Sequence, residues 1–318
     1  MTRGPRPCKL PPATPSNQSV VTALRTRLRL SAVGMLLPAL VVVVGLGLYP
    51  IGQSIYLGLT NYRVGGSFGL APIRFVGLLN FQRLLEDEQF RAGLLLIVGV
   101  AFVVVFVTYF LAYLLAALLN QRFPLRRVVR TIVLLPIAMP PLIAGEVWRY
   151  LYDPNVGVVN QLLIDLHLET TARYLPLDPT AGVFWIAVVG IWLALPFATL
   201  LLLAAIQGVN PDLLEAAAID GAGPIRRFMH VTFPATRNVL AAILPLSFAG
   251  QILAFDVYFA LSGSGATGRA GFLMPTMYAF FQLTSGLLGR AAAVGDVLLV
   301  VALLAFVISR AISTKDAV

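Results

Sequence analysis

From Leu30 to Tyr62, and again from Ala92 to Gln121, the chain carries no charged side chain. Each run exceeds the roughly 20 apolar residues that an α-helix needs to cross a bilayer. Runs of this kind restrict the chain to a membrane fold. Composition agrees: 58% of the 318 residues are hydrophobic and 12% charged, with a mean hydropathy of +0.87, whereas about a quarter of a soluble domain is charged. The expected class is all-α, a polytopic membrane protein. The net charge of +9 raises nucleic acid as a partner, but the bases occur in short clusters beside apolar runs, as topology signals do. A single cysteine, Cys8, permits neither an intrachain disulfide nor a cysteine metal cluster.

Six spans are expected, near 31–54, 92–120, 131–150, 181–206, 237–257 and 291–309. Residues 1–29 are rich in proline and arginine and read as a flexible tail, and 313–318 form a short C-terminal tail. The first apolar run is too long for a signal peptide, whose apolar core is about 7–15 residues, so it reads as an uncleaved span. The third span holds Pro136, Pro140 and Pro141 and is expected to be a kinked helix, which neighbouring helices can tolerate. The stretch 270–289 is uncharged but holds several polar residues and Pro275. It is placed as an external loop with a partly buried helix; a seventh span there would move the C-terminus across the membrane. With both termini in the cytoplasm, fifteen of the 23 lysines and arginines lie inside, as the positive-inside rule favours.

One polar segment interrupts this pattern between the fourth and fifth spans. Asn210-Pro211-Asp212 is a helix start, with Asn as cap, proline at the first helical position and an acid in the first turn. Gly221 can end that helix. Gly223-Pro224 permits a second helix over Ile225–Thr232, which Pro234 should stop. The result is a cytoplasmic two-helix bracket with a low-relief alanine face at 216–218. On these residues alone, a docking surface and an ordinary charged loop are both open readings.

Glu215-Ala216-Ala217, Gly221 and the closing Phe233-Pro234 resemble the EAA loop of permease subunits of bacterial binding-protein-dependent ABC importers. Phe75-Val76-Gly77-Leu78, Arg130-Thr131 with Leu134-Leu135-Pro136, and Phe255-Asp256-Val257-Tyr258 resemble other stretches of the carbohydrate-type members, of the maltose and glycerol-phosphate kind. The likeness covers about 30–312, the expected transmembrane domain. It implies a coupling helix, with Glu215, Ala216, Ala217, Gly221, Arg226 and Arg227 at the interface with an ATP-binding subunit. It also implies a second homologous permease, two ATP-binding cassette subunits carrying ATP and Mg, an extracellular or periplasmic solute-binding protein, and a bacterial or archaeal cell membrane. The sequence departs from the family's pattern at Ser262-Gly263-Ser264-Gly265 and at Asp296.

The chain cannot hydrolyse ATP through a P-loop. That motif needs Gly-Lys followed by Ser or Thr, and its two lysines, Lys9 and Lys315, follow Cys8 and Thr314. No cofactor is expected on this chain, and His167 and His230 stand too far apart for a metal pair. Polar residues within spans usually face the bundle interior or water, so Gln251, Asp256, Tyr258, Trp192 and Asp296 are candidates for a substrate path. Helix packing or capping accounts for each equally well, and Glu146 with Arg149 reads as a pair on one helix face. A sugar or oligosaccharide is the expected solute by resemblance; glycerol phosphate, a polyamine or another polar solute stays open. A stand-alone secondary transporter is the rival class, although such proteins often show inverted repeats and none is evident.

Overall fold

A computed structural model describes residues 35–64, 73–178, 181–263 and 274–315, with side chains described up to 308. The expected tail 1–29, residues 316–318 and the start of the 270–289 stretch lie outside these. The chain divides into two compact units, Met1–Ser54 and Ile55–Val318. In the first, α1 (Met35–Gly58) begins, and most of its side chains there are exposed.

In the second unit the helices follow in order: α2 (Leu79–Glu86), α3 (Glu88–Asn120), α4 (Arg126–Leu134), α5 (Pro141–Leu151), α6 (Val158–Asp165) and α7 (Gly182–Gln207). Then come α8 (Pro211–Ile219), α9 (Pro224–Arg227), α10 (Phe233–Ile252), α11 (Asp256–Leu261), α12 (Pro275–Thr284) and α13 (Leu288–Lys315). Among the described residues there are no strands, only an isolated bridge between Thr60 and Phe75. Five helices are long and apolar enough to cross a membrane, and the bent pair α4–α5 makes a sixth if counted as one span.

Packing direction settles that count. Ile97, Val100 and Val104 of α3 share a core with Ile186, Ala187 and Val189 of α7. Farther along, Tyr109 to Leu119 meet Ala198 to Ile206. The two helices therefore run parallel, and the chain between them must cross back. It does so through α4, whose Val129 packs near the Leu119 end, and α5, whose Trp148 packs against the Ile186 end. The pair is one broken span. Instead of a kinked helix, a 3-10 turn (Leu135–Ala138) and an extended Met139 separate its halves, which meet at 103°. Three prolines each remove a helical donor, and a residue before proline avoids the helical region.

The remaining helices close the bundle. α10 is antiparallel to α3, because the Tyr109 hydroxyl meets Ser247 and the Tyr113 hydroxyl meets Thr236. Ile252, at the end of α10, shares a core with Phe90 of α3 and with Ala293 and Val294 of α13. So α10 leaves and α13 enters at the same end, and α12 between them does not cross. With ten residues, α12 spans about 15 Å at 1.5 Å per residue, half of a bilayer core. Met274, Met277 and Tyr278 are buried, which makes it the partly buried helix expected of 270–289.

Apolar burial gives little drive for helix association in lipid, so close contact between small residues matters more. Ala101, Ala112 and Ala116 of α3 and Ala187 and Ala198 of α7 are all essentially buried. Two helices meet closely at Gly145 of α5, where a β-carbon would lie 2.6 Å from the Ala260 Cβ and 2.7 Å from the Val257 carbonyl oxygen of α11. Only glycine fits there.

Candidate functional site

The bracket lies where α7 ends, at the same end of the bundle as Asn120. Asn210 caps α8, its Oδ1 accepting from the Asp212 amide at 3.0 Å. The helix closes with two reversed bonds: Gly221 donates to the Ala218 carbonyl (3.1 Å) and Ala222 to the Ala217 carbonyl (2.9 Å). That closure needs a left-handed residue, and Gly221 supplies φ of 75°. Glu215, Ala216, Gly221 and Arg226 are exposed, while Ala217 and Arg227 are half-buried. On either side of the glycine turn, Ile219 is 87% and Ile225 81% exposed.

The second arm differs from the expected separate helix. α9 passes through a π turn, Phe228–Thr232, directly into α10. The Phe233 amide reaches back five residues to Phe228. A wide turn at this point accommodates Pro234, which has no amide hydrogen and whose ring would clash with the carbonyl four residues back in a regular helix. The bracket is thus a short helix fixed by a glycine turn to the root of a span.

A second feature is a groove of about 460 Å³ between α3, α7 and α10. Its polar lining is Thr108, Tyr109, Ser247 and Gln251; most of the rest is apolar, including Phe197 and Leu246, both well exposed. Tyr109 and Ser247 share a hydrogen bond of 2.6 Å. The fully buried Tyr258 hydroxyl donates to Gln251 Oε1 at 3.0 Å and so positions that amide. Thr108 Oγ1 is buried and, among the described residues, has no hydrogen-bond partner. Buried hydroxyls are normally satisfied, so this one is an exception at the groove wall.

Of the five residues singled out for a substrate path, only Gln251 lines this groove, with Tyr258 buried behind it and bonded to it, and the other three lie elsewhere. Trp192 packs on Trp148 (5.7 Å between rings), part of an aromatic cluster with Tyr152 and Trp185. Asp256 is exposed in the first turn of α11, a favourable place for an acid at a helix start. Asp296 is buried with its Oδ2 against Gly58. Glu146 and Arg149 do pair on one helix face, at 2.8 Å. Thr108, Tyr109 and Ser247 are single polar residues in apolar runs; their signal is a shared face that appears only once three helices are assembled.

Residues 108–315 match the family model described as "Binding-protein-dependent transport system inner membrane component". The chain belongs to this family. It is 32% identical over 261 residues to the trehalose/maltose transport system permease protein MalF of Thermococcus litoralis, covering 82% of this chain and 86% of that protein. It is 31% identical to the diacetylchitobiose uptake system permease protein NgcF of Streptomyces coelicolor, covering 83% and 77%. A crystal structure of a bacterial alginate ABC transporter with an alginate-bound periplasmic protein shares the fold, with a TM-score of 0.74 and 22% identity, covering 92% of this chain and 96% of that one. The chain is therefore a multi-pass permease of the inner-membrane type, and its relatives are permease subunits of importers.

Proposed function

We propose that this permease moves a neutral sugar or oligosaccharide inward through the groove between α3, α7 and α10. The observation that carries the reading is the groove's polar set. Thr108, Tyr109, Ser247 and Gln251 offer hydroxyls and an amide but no charge. Such groups exchange hydrogen bonds with sugar hydroxyls, and the exposed Phe197 ring can cover an apolar sugar face. A phosphate would call for a cation, and a polyamine for carboxylates, and the lining supplies neither. The names of the trehalose/maltose and diacetylchitobiose relatives support the same class.

Energy comes from outside the chain. A homologous second permease completes the pathway, two ATPase subunits take up the bracket through Glu215, Ala216, Ala217, Gly221, Arg226 and Arg227, and a solute-binding protein delivers the solute at the opposite end. The exposed Ile219 and Ile225 add an apolar contact of the kind that marks interaction sites. On this reading the bracket and both termini face the cytoplasm. ATP and Mg act on the partner subunit.

Reconstitution of the chain in liposomes with its genomic partners tests this reading. Uptake of labelled maltose, trehalose or chitobiose should require ATP and the binding protein, and Thr108→Val with Gln251→Ala should abolish it while ATPase subunits still bind. Solute uptake by the lone chain would overturn the importer reading in favour of a secondary transporter.

A further inference from the structure

The loop between α3 and α4 forms a basic concavity that the transport reading does not use. Arg122, Phe123, Leu125, Arg126, Arg127 and Arg130 line a cavity of about 570 Å³ at the bracket end of the bundle. Among the described residues no acid forms an ion pair with any of the four arginines. Phe123 and Val129 anchor the segment against the core of α3 and α7, so the guanidinium groups are carried on a fixed support.

The same segment carries an apolar face. Val128, Ile132 and Leu135 follow at helical spacing and are 52%, 65% and 69% exposed, while no residue of α4 is fully buried. Arg126, Arg127 and Arg130 project from the other side of the helical wheel. A helix with arginines on one face and exposed aliphatic groups on another suits the headgroup boundary of a bilayer. An occupant that satisfies both faces must carry an anionic headgroup and a hydrocarbon chain. A protein carboxylate would satisfy only the first.

We propose that this concavity binds an anionic phospholipid, with the phosphate held among Arg122, Arg126, Arg127 and Arg130 and an acyl chain lying along Val128, Ile132 and Leu135. Arginine suits phosphate because its planar donors can engage two oxygens at once. The assignment takes its side of the membrane from the reading above: the bracket end then faces the cytoplasmic leaflet, where basic juxtamembrane segments gather anionic lipid. A lipid held there would fix the hinge-like start of the broken span.

Native mass spectrometry of the full permease–ATPase complex in detergent tests the site, with dioleoylphosphatidylglycerol or dioleoylphosphatidylcholine added back after delipidation. Wild type should retain the anionic lipid at least about tenfold better than the zwitterionic one. The triple variant Arg126→Gln, Arg127→Gln, Arg130→Gln should lose that preference, and Ile132→Ser with Leu135→Ser should weaken retention of phosphatidylglycerol. Inorganic phosphate at millimolar concentration should not displace the lipid; displacement would mean a free-anion site and overturn the proposal. Equal retention of both lipids by wild type would overturn it without recourse to any variant. So would a triple variant that sheds its ATPase subunits but keeps the lipid preference, because the arginines would then be contacts to a partner protein. Lipid counting needs no transport, so failure of the sugar reading would leave this outcome unaffected.

Discussion

The two ends of the bundle are held together in different ways. At the end away from the bracket, side chains bond across long stretches of sequence. The Tyr278 hydroxyl donates to Asp87 Oδ2 at 2.7 Å, while Asp87 Oδ1 caps α3 through the Phe90 amide. Arg173 pairs with both Glu169 and the buried Asp178, and the Tyr174 hydroxyl donates to the Leu261 carbonyl. At the bracket end, the hydrogen bonds of α8 and its turn are local backbone and cap bonds, and large apolar side chains face outward. At the bracket end the Tyr113–Thr236 bond still ties α3 to α10, but α8 itself is held by local bonds alone and, on the reading proposed above, offers its surface to the ATPase subunits. That division suits a transporter in which force enters at one end and the frame is kept at the other.

The comparison breaks most sharply at the bracket. Gly221→Pro fixes φ near −65° where the turn needs a positive value, and Glu215→Lys reverses charge on the exposed face. Each should lower ATP-dependent uptake by about a hundredfold, a loss of roughly 2.7 kcal/mol of coupling, while the protein still inserts and the binding protein still docks. Uptake assays run beside ATPase assays check this: normal transport in both variants would remove the bracket from the mechanism. At the cross-linked end the largest effect is expected from Gly145→Leu. The added side chain collides with Ala260 and the Val257 carbonyl, and overpacking of this kind costs about 1–3 kcal/mol. The thermal midpoint of the detergent-solubilised complex should fall, and an unchanged midpoint would show that α5 and α11 are not tightly packed there.

The difference between the ends also separates what the residues disclose by themselves from what they do not. The bracket is local: a cap, a proline, a glycine and an alanine face lie within a dozen positions, so its form is readable in order, except that the π turn absorbs Pro234 where a stop is the simpler expectation. The six-span architecture is readable too, because uncharged runs report solvent, and lipid leaves few alternatives. The groove is not. α3 and α7 are apolar around nearly their whole circumference, so no periodicity marks which side faces a neighbour. Thr108 and Ser247 gain meaning only when parallel packing of α3 and α7 brings α10 across them. Asp256 and Asp296 attract notice as charges in apolar surroundings, yet one starts a helix and the other packs on Gly58. The break at Met139 is hidden for a related reason: three prolines forecast distortion, and only the packing of α5 on α11 decides that it becomes a 103° turn.

A smaller effect belongs to the groove. Tyr258→Phe removes the donor that positions Gln251 without removing the ring from the core. A neutral hydrogen bond contributes about 1 kcal/mol, so the solute concentration for half-maximal uptake should rise several-fold with little change in maximal rate. A fall in rate alone would place Tyr258 in the conformational change and not in solute positioning.

The finest test of the cross-linked end is the pH dependence of Tyr278. Burial, followed by its hydrogen bond and charge contact with Asp87, pushes the phenol from 10.0 up to about 12. The folded state therefore holds this proton more tightly than the unfolded state does. Below pH 10 the contribution to stability is fully present; it declines as pH rises from 10 toward 12, because the unfolded chain ionises first. Tyr278→Phe lacks both the bond and the titration. Its thermal midpoint should lie slightly below wild type at neutral pH, and the gap should narrow above pH 10. A gap that stays constant across that range would show that the phenol–carboxylate bond contributes nothing to holding α12 against α3, leaving only ring packing to do so.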